Sequence, residues 1–405
     1  MVGRMSTPSF ADLTTIGVGG PIARFVEPDS RVGVIEAVTD ADEKGLPLCV
    51  IGGGSNLLVS DEPFMGVVVR DARRTISVPD EVAPVEGADR TVHVNAEAGA
   101  NWDDLVEFCV RLGLEGVEGL SGIPGTVGAS VVQNIGAYGQ EVGSSVDTVE
   151  VWDRKTLKVE ELSADQLGFG YRTSALKTSM YQAPATPADE FFPTPRYVVL
   201  SVTFALRHSA TGVVNFPQLA KALGVEVGDR LETAAIRDAV LKVRASKGML
   251  EDPNRYYNEW MRDTKKPENV EAAFGGLYAA TGSLDRDWNR HSCGSFFMNP
   301  QLTPEQAAKL PEDAPRFDVT LPDGSAGVKT SAAWLIDHAG FHKGFGVGDD
   351  AAATLSTLHT LALTNRGSAT AEDVAKLART VQDGVERAFG VRLVPEPVCV
   401  GIDLR

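Results

Sequence analysis

Ser295 stands in Cys293-Gly294-Ser295-Phe296-Phe297-Met298-Asn299-Pro300, a hydroxyl between a glycine and two aromatics. It lacks the G-x-S-x-G elbow of a hydrolase nucleophile, so read locally it is a structural hydroxyl. Glu396 lies between Pro395 and Pro397 in an otherwise apolar run. An acid there is either exposed on an edge or buried for use, and the prolines favour the edge. Arg172 follows Phe169-Gly170-Tyr171, and its best use on that apolar background is a bidentate hold on a carboxylate or phosphate. Arg244 and Lys247 lie one turn apart near a helix end. They either hold another anion or simply complement the helix dipole.

Residues 122–139 (GIPGTVGASVVQNIGAYG) carry five glycines in eighteen positions. Without Cβ atoms the backbone N–H groups can approach a flat or anionic ligand, and positive φ costs little. Gln133 and Asn134 offer donors and acceptors together, which suits a heterocycle edge. Ile123, Val127, Val131, Val132 and Ile135 are too densely apolar for a polar surface loop. The stretch reads as a cofactor bed. A second glycine cluster, Gly52-Gly53-Gly54-Ser55-Asn56, follows the short apolar strand 48–51. A dinucleotide fold needs G-x-G-x-x-G opening a helix; here Leu57-Leu58-Val59 continues as strand. Clustered N–H groups still suit phosphate oxygens, so a pyrophosphate loop outside a Rossmann fold competes with a tight β-turn.

Six histidines are present. His338 and His342 have i, i+4 spacing, but Gly340 interrupts the helix that would align them, and a metal site needs about three to four ligands. No metal is expected.

These residues need elements to hold them. Residues 1–13 read as a tail. Ser30 caps a helix through Lys44, and Asn101 caps one carrying Leu105, Phe108, Cys109 and Leu112 on one face. Strands are expected at 67–70, 91–96, 146–152 and 197–206, the second alternating cleanly. Residues 178–196, rich in Pro, Thr and Ala, read as a long excursion, 231–247 as a helix, and 249–290 as a flexible insertion. Thr303 opens a capping box, Asp323-Gly324 a hairpin, and Ser331 a short helix. A strand follows at 357–365. Thr370 caps a helix closed by Gly390, and 391–400 forms a final strand. Many short strands with fewer helices imply an α+β architecture.

The 405 residues, 43% hydrophobic and 23% charged, suffice for about two to three domains. A net charge of −17 disfavours nucleic-acid binding, which needs basic patches. The four cysteines (Cys49, Cys109, Cys293, Cys399) form no C-x-x-C pair and imply neither a disulfide framework nor zinc. No apolar run approaches the roughly 20 residues of a membrane span, and the N-terminus lacks a signal-peptide core. A cytoplasmic protein is expected, without membrane insertion.

Taken together and in order, GGGSN, IPGTVGASVVQNIGAYG, GYRTS, GSFFMNP, WLID and EPV closely resemble the UDP-N-acetylenolpyruvoylglucosamine reductases, also called UDP-N-acetylmuramate dehydrogenases, of the type I form. The resemblance runs from about Thr14 to Val400. It implies a three-domain flavoprotein with a vanillyl-alcohol-oxidase/PCMH-type FAD-binding module and a C-terminal substrate-binding domain. The expected boundaries are 1–73 (completed by 390–405), 74–248, and 249–389 with a long insertion near 250–290. It implies non-covalent FAD, NADPH as reductant, and a sugar-nucleotide substrate in peptidoglycan precursor synthesis. Ser295 matches the proton donor, and Arg172 and Glu396 the pair that polarises the substrate carboxylate. Tyr138, Arg172, Arg244, Lys247, Asn299 and His359 match substrate contacts. Gly52, Gly53, Gly54, Ser55, Asn56, Ile123, Pro124, Gly125, Thr126, Gly128, Ala129, Gln133, Asn134, Gly136 and Ala137 match the flavin site. Phe216 stands where some relatives place a tyrosine that reaches the diphosphate, and Leu358 where many have lysine. A flavin oxidase with another substrate would share the bed without needing the trio Arg172, Ser295 and Glu396; a non-catalytic sugar-nucleotide sensor would have lost one of the three.

Overall fold

In the computed structural model, which describes residues 7–80, 90–180 and 193–404, the chain is α+β. The first layer is a parallel sheet in the order Ile22–Val26, Phe64–Val69, Leu48–Val50, covered by the helix Arg31–Glu43. Ser30 caps that helix, its side chain accepting from the Gly33 N–H. The expected tail is not one: Phe10–Leu13 forms a helical turn, and Phe10 and Leu13 are buried. Two apolar side chains so close to the chain start have somewhere to go because Gly19 and Gly20 carbonyls receive the turn's first N–H groups.

The second layer is an antiparallel sheet in the order Lys158–Ser163, Val146–Asp153, Tyr197–His208, Thr91–Glu97, Ile76–Ser77. Along Tyr197–His208 buried and half-buried residues alternate, as period-2 patterning requires for a sheet with one packed face. Its core includes Trp102, Phe204, Val127 and Val131, so the glycine bed is packed directly onto this sheet. Asn101 caps Trp102–Arg111 by accepting from the Asp103 and Asp104 N–H groups.

The third layer holds a sheet in the order Gln301–Leu302, Ala326–Lys329, Phe317–Thr320, turned at Asp323-Gly324, and a hairpin Ala353–Leu355 with Leu363–Asn365. The helix Ala371–Phe389 buries Val374, Leu377, Val381 and Val385 on one face and ends at Gly390, φ 66°. Two strands are shorter than their apolar runs suggest. Only 363–365 pairs within 357–365, and only Val398–Val400 pairs as ladder within 391–400, because Pro395 and Pro397 have no N–H to donate. Val398–Val400 runs parallel to Leu57–Val59, so the end of the chain returns beside Gly52–Asn56.

The segment 249–290 is structured rather than irregular. It contains a 3₁₀ turn at Pro253–Tyr257 and a helix at Pro267–Thr281. Tyr256, Trp260 and Met261 join the core of the first layer. The Lys266 N–H donates to Asp104 Oδ2 at 2.9 Å, fastening the segment across the second layer too. Most of the excursion at 178–196 lies outside the described residues. Among the described residues no helix is long and apolar enough to cross a membrane.

Candidate active site

Where the three layers meet is a cavity of about 300 Å³ lined by both glycine clusters. The clusters are pressed together. A Cβ on Gly52 would stand 2.4 Å from Thr126 Oγ1, and one on Gly53 would stand 2.7 Å from Gly125 Cα. Ser55 Oγ donates to the Pro124 carbonyl at 2.8 Å and fixes one cluster on the other. None of the five backbone N–H groups of Gly52–Asn56 donates to another group among the described residues. Five adjacent free donors in a loop suit the oxygens of a phosphate bridge. The cavity therefore fits a flavin dinucleotide: apolar and amide-bearing at residues 123–137, donor-rich at residues 52–56.

Every residue expected at the flavin lines this cavity except Asn134. Asn134 is buried, and its carboxamide is fully engaged within the protein. It donates to Glu141 Oε2 and to the Gly170 carbonyl, each at 3.0 Å, and accepts from the Gly143 N–H at 2.8 Å. It braces the loop that carries Arg172. Asn134, Tyr138 and Arg172 have φ of 49°, 48° and 56°, and they are three of the four non-glycine residues with left-handed φ among the described residues. Strained backbone of this kind persists where the surroundings over-determine it, often at functional sites.

Arg172, Ser295 and Glu396 all line the cavity. Glu396 is part-buried, its side chain 13% exposed, and not on an open edge. Residues 394–396 lie against 296–298: the Met298 N–H donates to the Val394 carbonyl and the Glu396 N–H to the Phe296 carbonyl, each at 2.9 Å. That pairing sets Glu396 next to Ser295, while buried Phe296 and Phe297 anchor the strip, each contributing roughly 1.5–3 kcal/mol. Gly294 has φ 76°, a turn that a β-carbon would oppose and that brings Ser295 to the cavity. Ser295 Oγ lines the cavity and makes no hydrogen bond among the described residues.

Arg172 Nε lies 3.1 Å from Glu396 Oε1, an ion pair too bent to count as a hydrogen bond. Its Nη2 donates to the Gly136 carbonyl at 2.7 Å. Burial raises the Glu396 pKa; Arg172 and Lys177 oppose that rise. Lys177, which sequence reasoning passed over, lines the cavity and donates to Gln133 Oε1 at 3.4 Å and to the Glu396 carbonyl at 3.3 Å. Burial lowers its pKa, and Glu396 pulls the other way. Gln133 Oε1 also accepts from Asn56 Nδ2, which leaves Gln133 Nε2 to donate to Glu396 Oε1 at 3.3 Å. Nothing in the local sequence ALKTS marks Lys177; its partners lie far along the chain.

Arg244 also lines the cavity, buried, with Nη2 donating to the Met249 carbonyl at 2.7 Å. Tyr138, Lys247, Asn299 and His359 do not line it. Lys247 donates to Gln218 Oε1 at 2.7 Å. Tyr138 packs edge-on against Phe216 at 5.7 Å between centroids. Asn299 serves the fold: its Oδ1 accepts from the Ala332 N–H at 3.0 Å, and its N–H donates to Tyr171 Oη at 3.3 Å. His359 feels burial first and then the charges of Lys247, Lys343 and Arg244, which together bring its pKa down to about 4. These groups form a basic neighbourhood adjoining the cavity through Arg244. Between pH 6.5 and about 4 the unfolded chain protonates His359 while the folded chain does not, so stability falls as pH drops through that window. His359→Gln should shrink the gap between urea midpoints at pH 7 and pH 4.5; an unchanged gap would show that His359 is not held neutral.

The remaining expectations concern absences and thiols. His338 stacks on Trp334 at 3.8 Å, and no cluster of three or more His, Cys, Asp or Glu able to hold a metal occurs among the described residues. All four cysteines are free thiols, Cys49, Cys109 and Cys293 buried.

Two family models match the chain: an FAD binding domain over residues 21–156, and the C-terminal domain of UDP-N-acetylenolpyruvoylglucosamine reductase over residues 286–400. The UDP-N-acetylenolpyruvoylglucosamine reductase of Thermobifida fusca is 42% identical over 401 residues, covering 97% of each chain. That of Cutibacterium acnes is 43% identical over 392 residues, covering 96% of this chain and 89% of its own. The crystal structure of UDP-N-acetylenolpyruvylglucosamine reductase from Thermus caldophilus superposes with a TM-score of 0.55 at 25% identity, covering 97% of this chain and 98% of that one.

Proposed function

The chain belongs to the UDP-N-acetylenolpyruvoylglucosamine reductase family, and we propose that it reduces the enolpyruvyl ether of UDP-N-acetylglucosamine to UDP-N-acetylmuramate, with NADPH as reductant, as a step of peptidoglycan precursor synthesis. It is an FAD-binding oxidoreductase. When bound, FAD would supply hydride-level redox chemistry between NADPH and the enolpyruvyl double bond. The residues 52–56 and 123–137 would hold it, apart from Asn134. Strand Val398–Val400 beside Leu57–Val59 supports a first domain of 1–73 completed by 390–405, followed by 74–248 and 249–389.

The chain's own groups then account for the rest. Arg172, whose guanidinium is half-buried and already placed by Gly136 and Glu396, lies where a substrate carboxylate would gain most from a cation. Negative charge moving from C2 onto that carboxylate is stabilised there. The resulting aci-carboxylate is basic at C2, so even a weakly acidic hydroxyl delivers the proton when it is positioned, and Ser295 is that hydroxyl. Lys177 and Gln133 keep Glu396 in place and favour its ionised form. Arg244 and Lys247, with Tyr138 and His359 beside them, supply the basic side that a UDP diphosphate needs on a protein of net charge −17. Asn299 and Tyr171 steady the loops around the trio.

The observation carrying this reading is the convergence of Arg172, Ser295 and Glu396, far apart in sequence, on a cavity that both glycine clusters line. Anaerobic stopped-flow tests it. The purified holoprotein should bleach with NADPH and recover its flavin absorbance on adding UDP-N-acetylglucosamine enolpyruvate. Recovery only with oxygen, and not with the enolpyruvyl compound, would overturn it in favour of an oxidase.

A further inference from the structure

Arg290 ends the turn Trp288–Arg290 in the segment that links the second and third layers. It is 3% exposed and lines the cavity. Its Nη1 donates to the Glu251 carbonyl at 3.3 Å, and its Nε lies 3.4 Å from Asp287 Oδ2. Its Nη2 is buried and has no hydrogen-bond partner among the described residues. Asp252, the other carboxylate acting on it, is taken up by His291 at 2.9 Å. A buried guanidinium corner left unpaired is costly, and such groups call for a partner.

The surroundings say which. Glu251 belongs to the segment that Arg255 pins to the first glycine cluster, since Arg255 Nη2 donates to the Gly53 carbonyl at 3.1 Å. On the other side the Ser292 carbonyl accepts from Thr15 Oγ1 at 2.7 Å, and the Thr15 N–H donates to the Gly54 carbonyl at 3.0 Å. Arg290 is thus tied from both flanks to the loop whose five N–H groups are free. A fork-shaped cation lining the same cavity as a loop with free backbone N–H groups matches a phosphate oxygen set.

We propose that Arg290 is a diphosphate-binding residue of the flavin site, holding the phosphate bridge of the dinucleotide against Gly52–Asn56. The inference rests on the flavin reading above. Arg290 adds a positive charge to the backbone donors that the loop offers the bridge.

The test is flavin binding by apoprotein, followed by fluorescence quenching with FAD and with riboflavin, which has no phosphate. Arg290→Gln should weaken FAD about 10- to 100-fold and leave riboflavin affinity as in the wild type. Arg290→Lys keeps the charge beside Asp287 without the fork; it should fold as the wild type does and weaken FAD by roughly tenfold. Unchanged FAD affinity in folded Arg290→Lys and Arg290→Gln overturns the proposal, as does an equal loss for riboflavin, which would mark a structural role. A raised KM for the UDP-sugar with FAD affinity intact overturns it by giving Arg290 to the substrate diphosphate. Wild-type apoprotein that binds neither flavin overturns the flavin reading itself, a result distinct from all of these.

Discussion

Ser295→Ala will reduce its flavin with NADPH at the wild-type rate and reoxidise with the enolpyruvyl substrate about 10²–10⁴ times more slowly, the usual loss for a general acid. The substitution removes only Oγ, which has no hydrogen-bond partner among the described residues, so no buried group is orphaned by it. Phe296 and Phe297, which anchor the strip, are untouched, and Gly294 keeps the turn. Thermal midpoint and FAD content should therefore match the wild type. The two half-reactions separate the roles: NADPH needs no proton from Ser295, whereas C2 of the substrate does. Stopped-flow absorbance of the flavin reads both. Equal slowing of both steps would point to a disturbed cavity, and no slowing of reoxidation would remove Ser295 from the chemistry.

The residues that were legible in the sequence are those whose role is written in the backbone. Gly53 is needed because its loop meets the second loop at Gly125, and Gly52, Gly54 and Gly128 because Thr126, the Leu13 carbonyl and Ala98 stand where a β-carbon would go. Helix ends at Ser30, Asn101, Thr303 and Thr370 were equally legible, since a cap acts within four residues. What failed was long-range. Glu396 looked like an edge acid because its prolines are local and its partner strip at 296–298 is not. Lys177 carried no signal, its burial being set by Gln133 and Glu396. Asn134 carried no signal for its bracing role, its amide being held by Glu141, Gly143 and Gly170. The segment 249–290 looked irregular because its apolar residues, Tyr256, Trp260 and Met261, are spaced to fill another layer's core and not to form a face of their own.

Arg172→Met should lower kcat by about 10²–10³, the scale on which one preorganised electrostatic group acts, and should shift the acid limb of the kcat/KM profile to higher pH. The first effect follows from losing the cation that receives charge on the substrate carboxylate. The second follows from Glu396. Its folded pKa already lies above 4.5 because burial disfavours the carboxylate, and Arg172 is the first of the groups that oppose this, with Lys177 next and Gln133 contributing a hydrogen bond. Tyr171 also faces Glu396 but carries no charge in this range. Without Arg172 the carboxyl holds its proton to still higher pH, so a smaller fraction is ionised at any given pH below the new value. The linkage has the same sign. A carboxyl whose folded pKa is raised costs stability as pH rises through the window above 4.5, and Arg172→Met should deepen that loss. Arg172→Lys restores charge without the fork that reaches both Gly136 and Glu396. It should return the acid limb most of the way while recovering kcat only in part. An acid limb that stays put in Arg172→Met would mean that Glu396 is not the group titrating in kcat/KM. An unchanged kcat would mean that the substrate carboxylate is held elsewhere, with Lys177 the remaining buried cation on that side of the cavity.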